Sequence, residues 1–231
     1  MFRPESAMTR LASKPGDEPP GRERDVSICF IDMRGYTRQT EMNAPADVHR
    51  FLTEYFHVVG ELIQKHGGTV VEFQGDGVVT AFGAFEDQQD KEATAIRAAR
   101  AIRAETRKLC IPVRIGIATG TAFVGQMVAL DRRAFCVIGT PTVMAARLQG
   151  MADELGTGIV IDAATARAAG PLEGARRHRR RAIHGSARRH DLFAIRDEDH
   201  VIAPSADGSS PEGGRQPFTT SFAMETGYGA L

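Results

Sequence analysis

The hydrophobic pattern changes period several times along the chain, and each change marks an element. Residues 26–31 form a short apolar run rich in β-forming side chains, interrupted by the turn Gly35-Tyr36-Thr37. Across residues 46–65, Val48, Phe51, Leu52, Tyr55, Phe56, Val59, Leu62 and Ile63 recur at helical spacing, and His66-Gly67-Gly68 ends the segment. Residues 69–73 and 78–82 read as strands flanking Gly75-Asp76-Gly77, a tight hairpin signal. Residues 87–109 predict a second amphipathic helix, with Ala95, Ile96, Ala99 and Ile102 on one side. A strand pair at 113–124 and 134–138 leads to a helix over about 141–155, with Pro141 suited to its first turn. Residues 159–161, 182–184 and 191–195 read as further strands.

The order strand, helix, strand, strand, helix, strand predicts the split βαβ unit of ferredoxin-like folds, an α+β architecture. An antiparallel sheet with helices on one face is expected. Residues 26–196 suit one domain. Residues 1–25, rich in proline and charge, read as a disordered linker, and 197–231, containing Gly208-Ser209-Ser210-Pro211-Glu212-Gly213-Gly214, as a disordered low-complexity tail.

Composition narrows the class. The 231 residues balance 29 Lys and Arg against 29 Asp and Glu, with 42% hydrophobic residues, as in an ordinary soluble globular chain. A pI near 7.1 argues against a dedicated nucleic-acid binder. Cys29, Cys110 and Cys136 are scattered and odd in number, so neither a disulfide framework nor a metal cluster is expected, and a reducing cytoplasm fits. No apolar run reaches the roughly 18 residues needed to span a bilayer, and no signal peptide is evident. Residues 171–196 hold eight Arg against one Glu and one Asp. A solvated basic face is the first reading of that segment, polyphosphate attraction the second, and RNA or acidic-membrane contact the third.

Two carboxylates carry the candidate chemistry. Asp32 ends the first strand and Asp76 sits at the hairpin tip, so a split βαβ unit brings both to one end of the sheet. Magnesium-like ions take one or two carboxylates plus substrate phosphates, and two such ions serve a phosphoryl displacement. The turn Arg34-Gly35-Tyr36-Thr37 beside Asp32 offers backbone N–H groups to a phosphate chain, with a short helix starting after it. Asp and Gly are equally default turn residues, which leaves a purely structural reading open.

Several separate stretches then become specific in combination. Phe30-Ile31-Asp32-Met33-Arg34-Gly35-Tyr36-Thr37, His66-Gly67-Gly68 through Gly75-Asp76-Gly77-Val78, Ile115-Gly116-Ile117-Ala118-Thr119-Gly120, Val137-Ile138-Gly139 and Ala145-Ala146-Arg147-Leu148 stand in colinear order over 26–196. Together they resemble the class III adenylate and guanylate cyclase catalytic domain. The resemblance implies that Asp32 and Asp76 hold two Mg2+ or Mn2+ ions while the nucleotide 3′-hydroxyl attacks its own α-phosphate and expels pyrophosphate. It implies a head-to-tail homodimer with sites shared between protomers and Arg147 as the transition-state arginine, in addition to the Gly35, Tyr36 and Thr37 turn already read as suited to a triphosphate.

The same resemblance assigns base recognition to Glu72 and Cys136, the letters commonly found in guanine-selective members. Guanine offers adjacent N–H donors that an accepting carboxylate satisfies, whereas adenine sets a ring nitrogen against it. GTP is therefore the expected substrate, with ATP the alternative; an exposed strand residue and a buried small hydrophobe are the bland readings of the two positions. Three departures stand out. Val143 occupies the position where the family has a ribose-positioning Asn, Thr140 a commonly acidic one, and His184 the place of a phosphate-binding Lys, for which Arg188 or Arg189 is the candidate replacement. They keep open a weakened homologue that binds nucleotide or pairs as a regulatory partner. Phe2-Arg3-Pro4-Glu5 resembles the lead-in from an upstream part, so an absent sensor or membrane domain is a further expected partner; nucleic acid is not.

Overall fold

In the computed structural model, which describes residues 21–129 and 132–196, β1 (Arg22–Met33) runs through the middle of the sheet. It pairs antiparallel with β3 (Gly77–Phe82) on one side and with β4 (Val113–Ala129) on the other. β2 (Thr69–Gln74) lies outside β3, giving the order β2-β3-β1-β4 of the ferredoxin-like unit. Beyond β4 follow β6 (Ile159–Asp162), β8 (Arg189–Ile195) and the edge strand β7 (Ala175–Ala182), while β5 (Arg132–Ile138) folds back on the far end of β4. The β4–β6 pairing is parallel, so the sheet is mixed rather than wholly antiparallel.

Alternation along β1 explains how the layers form. Cys29, Ile31 and Met33 face one core with Tyr55, Val59 and Ile63 of α2 (Pro45–Lys65) and Ala95, Ala99 and Ile102 of α3 (Lys91–Lys108). Val26 and Ile28 point the other way, to a second core with Met144, Ala145 and Leu148 of α4 (Thr140–Gly150). The expectation of helices on one face is thus corrected. Val79, Ala81, Ala118 and Val160 make the second face apolar, and α4 covers it. β3 is accordingly buried at every position.

α2 stops where the sequence says it should. Gly67 takes φ 72°, its N–H bonds to the Gln64 carbonyl at 2.9 Å, and the Gly68 N–H bonds to the Ile63 carbonyl at 2.9 Å. α4 ends at Gly150, short of the expected 155, because residues 151–156 turn the chain back toward β6. The strand expected at 182–184 is displaced: β7 ends at Ala182, and the chain turns through Ser186, whose N–H bonds the Ile183 carbonyl at 3.0 Å. The short helices α1 (Tyr36–Met42) and α5 (Ala163–Ala169) complete the described chain, and the expected tail and most of the expected linker lie outside it.

Candidate active site

The two carboxylates meet at one end of the central strands. The β1–β3 register sets Ile31 opposite Val78, so continuing it brings Asp32 to Gly77 and Met33 to Asp76. The intervening hairpin holds Gly75 at φ 63° and leaves Asp76 outside the left-handed region, the signature of a II′ turn with glycine first. Burial and then the Asp32 charge push the Asp76 carboxyl above its ordinary value, opposed by backbone N–H groups at Asp76 and Met33 and by Arg114.

Asp32 is held on one side only. Its Oδ2 accepts from the Arg114 guanidinium, directly across the β1–β4 ladder, and from Gln149 Nε2 of α4 at 2.8 Å. Oδ1 has no partner among the described residues. Arg114 also reaches Asp153 at 3.0 Å, and Asp153 in turn pairs with Arg34, whose guanidinium bonds the Thr157 carbonyl at 3.2 Å. Beneath this network lies Tyr55, 1% exposed, its hydroxyl without a hydrogen-bond partner among the described residues. Burial, then the charges of Asp32 and Asp76, drive its pKa upward, so the phenol stays neutral. An open carboxylate oxygen with a second carboxylate nearby is a donor set that hard divalent ions take when substrate phosphates complete their shell.

The sheet also aims Glu72. Val70 pairs with Thr80, but Glu72 pairs with Val79, so Val71 forms a bulge. The bulge turns Glu72 toward the α4 side of the sheet, whereas Phe73 returns to the α2 side and packs on Phe56 at 4.5 Å between centroids. Glu72 accepts from Gln74 Nε2 at 2.8 Å. Cys136 sits on β5 opposite Gly125, its Sγ 3.5 Å from the Gly125 carbonyl, and burial raises its thiol pKa. β2 and β5 pass close to each other, and among the described residues Glu72 bonds Gln74 while Cys136 bonds the Gly125 carbonyl.

A second group gathers at the turn after β7. A Cβ on Gly185, itself at φ 71°, would lie 2.8 Å from an Arg147 guanidinium nitrogen. Arg147 therefore rests against the turn carrying His184 and Ser186. Its guanidinium makes no hydrogen bond or ion pair among the described residues, and nor does that of Arg188, which is exposed. Val143 is half exposed on the first part of α4. Gly35 takes φ 80° and opens α1 immediately after Asp32, setting Tyr36 and Thr37 in its first turn.

Sequence reasoning missed Arg114 and Gln149. The register across β1–β4 would have found Arg114. Gln149 needed the crossing of α4 over β4, which glycine at position 116 signals: a Cβ there would stand 2.0 Å from the Ala145 carbonyl oxygen and 2.4 Å from the Gln149 nitrogen.

Comparison with known proteins identifies the family. A family model described as the adenylate and guanylate cyclase catalytic domain matches residues 19–178. Adenylate cyclase 1 of Rhizobium meliloti is 30% identical over 151 residues, covering 61% of this chain and 23% of that protein. An uncharacterised protein of Mycobacterium tuberculosis is 37% identical over 145 residues, covering 62% and 26%. The chain thus spans about a quarter of the length of these curated relatives. Among solved structures, the guanylyl cyclase Cya2 is 28% identical with a TM-score of 0.64, covering 78% of this chain and 97% of that one. The adenylyl cyclase CyaB of P. aeruginosa shares the fold with a TM-score of 0.73 at 23% identity, covering 79% and 98%. With its strand order, its paired carboxylates and the match over residues 19–178, the chain belongs to the adenylate and guanylate cyclase catalytic domain family.

Proposed function

We propose that the chain is a metal-dependent purine nucleotide cyclase that converts GTP to cyclic GMP and pyrophosphate in a head-to-tail homodimer. The observation that carries this reading is the convergence of Asp32 and Asp76, with one oxygen of Asp32 left open. Two Mg2+ or Mn2+ ions held there would activate the 3′-hydroxyl and neutralise the leaving pyrophosphate. Asp32 and Asp76 would hold the ions, and Gly35, Tyr36 and Thr37 would offer backbone N–H groups to the triphosphate. Glu72 accepts from the guanine N–H edge, and Cys136, small and weakly polar, leaves room for the O6 edge. Arg147 supplies a fixed planar charge to the transferring phosphate, with Arg188 near the outer phosphates. The 3′-oxygen bonds to the α-phosphorus as its bond to the β-phosphate oxygen breaks, and the hydroxyl proton leaves to solvent.

In the head-to-tail arrangement, the carboxylates of one protomer meet the base-reading strands and Arg147 of its partner. Free thiols at Cys29, Cys110 and Cys136 suit a reducing, cytoplasmic setting, and among the described residues no helix is long and apolar enough to cross a membrane. Adenylate cyclase activity is the alternative. Val143 and His184 favour a third reading, a homologue of reduced turnover that acts as a nucleotide-binding partner.

The full chain incubated separately with GTP and ATP in Mn2+ tests these readings. Cyclic GMP alone is expected; cyclic AMP alone refutes the base assignment, and neither product favours the binding partner. Joint Glu72→Lys and Cys136→Asp substitution should move preference toward ATP by on the order of 10²-fold or more, because a mismatched donor–acceptor set leaves polar groups unpaired. Shared sites make a further prediction. Arg147→Ala and Asp76→Ala chains are each inactive alone, yet mixed they recover about a quarter of wild-type activity, since half the dimers hold one intact composite site.

A further inference from the structure

Gln149 stands two residues beyond Arg147 on α4 but faces a different way. Its side chain is 8% exposed, and its amide donates to Asp32 Oδ2 of the same chain at 2.8 Å. Arg114 occupies the same oxygen, so the two donors share one edge of the carboxylate and leave Oδ1 open. Gly116 sets this reach: without a side chain there, β4 lets the α4 backbone approach until the Gln149 nitrogen would touch a Cβ at 2.4 Å. Position 149 could have held any residue of similar volume if packing were the whole requirement. An amide buried with its donor on a carboxylate oxygen is instead an orienting contact.

We infer that Gln149 is a positioning residue for the Asp32 carboxylate of its own chain, and so serves a different composite active site from the one Arg147 serves. The inference rests on the cyclase reading above and adds to it. In the head-to-tail dimer Arg147 is presented to the partner's carboxylates, whereas Gln149 stays behind to hold its own. One helix therefore supports both sites of the dimer, and its two functional residues can be separated by experiment.

The experiment places Gln149→Met, which keeps the volume and loses the donor, in one or the other member of the complementing pair. In the Arg147→Ala chain it sits behind the working carboxylates; in the Asp76→Ala chain it sits on the helix whose Arg147 is working. The loss in the first arrangement should exceed that in the second by about tenfold, the effect typical of removing an outer-shell hydrogen bond. Equal losses, or a larger loss in the second arrangement, overturn the inference by showing that Gln149 only steadies α4. Gln149→Ala repeats the test with the volume removed, and thermal melts of both mixtures identify a folding defect, which would lower the two alike. Binding gives a readout independent of turnover. Mn2+ with 3′-deoxy-GTP or 3′-deoxy-ATP, followed by the Mn2+ EPR signal, should bind the otherwise wild-type Gln149→Met dimer about tenfold more weakly than wild type. Unchanged affinity overturns the inference. Wild type binding no better than Asp32→Ala is a failure of the metal assignment itself, and removes the inference with it.

Discussion

Burial and the neighbouring Asp32 charge make Asp76 harder to ionise in the folded chain than in the unfolded one. The sign follows from proton binding. Between the unfolded and the raised folded pKa, the native state holds more protons, so stability falls as pH rises through that window and stays lower at neutral pH. Asp76→Asn should therefore raise the melting temperature of the metal-free protein at pH 7, with the difference vanishing below the ordinary carboxylate range. Because the group is partly solvated, the gain is on the order of 1 kcal/mol or less, roughly 2–4 °C at most. Calorimetric melts from pH 3 to 8 check it, and a destabilised variant at pH 7 would contradict the assignment. At this scale the sequence announced Asp76 because a carboxylate between two turn glycines carries its own signal, and Asp32 because it closes an apolar strand just before the Gly35 turn. It concealed Arg114 and Gln149, which are ordinary surface letters until a strand ladder and a helix crossing bring them to the same oxygen.

Among the elements, those whose period matches one buried face were legible, and those shaped by an edge were not. α2 and α3 carry stripes of apolar residues, and their observed spans lie close to the expected ones. β7 escaped because its sequence is mostly arginine: at the outer edge of the sheet Arg176, Arg177, Arg179 and Arg180 are exposed, and such charge discourages further strand pairing. The bulge at Val71 was equally hidden, since one unpaired residue changes no composition yet decides which way Glu72 points. The contact of α4 with β4 gives the sharpest test at this scale. Gly116→Ala places a methyl against backbone atoms at 2.0 and 2.4 Å, which no rotamer change can relieve. Overpacking of this kind costs about 1–3 kcal/mol or more, and here it must also push Gln149 and Arg147 outward. Both a lower denaturant midpoint and lost cyclase activity are expected; an unaffected Gly116→Ala protein would show that α4 tolerates a larger gap.

For the molecule as a whole, the long β4–β5 ribbon poses a question of partnership. β4 pairs with β1 as far as Val124, and beyond that, among the described residues, its ladder partner is β5, a two-stranded piece of the kind that is marginal alone. Phe135 anchors one side of the ribbon by stacking on Phe85 at 4.8 Å. Phe123 and Ile138, opposite each other in the ladder, are 39% and 50% exposed, with Met127 and Val143 also exposed nearby in sequence. A second copy packed against these side chains would remove them from water, and the half-sites of one chain would be completed in the same step. Ile138→Asp should then shift the protein toward monomer in sedimentation, because an ionised carboxylate at an apolar contact costs several kcal/mol unless paired. Its specific activity should fall steeply on dilution and recover at high protein concentration, whereas wild type should be flat over the same range. The replacement lies on the ribbon and alters none of Asp32, Asp76, Glu72, Cys136 and Arg147, so activity regained on concentration would identify assembly as the step that was lost. Activity that remains proportional to the amount of a monomeric Ile138→Asp chain would mean that one protomer holds a whole site.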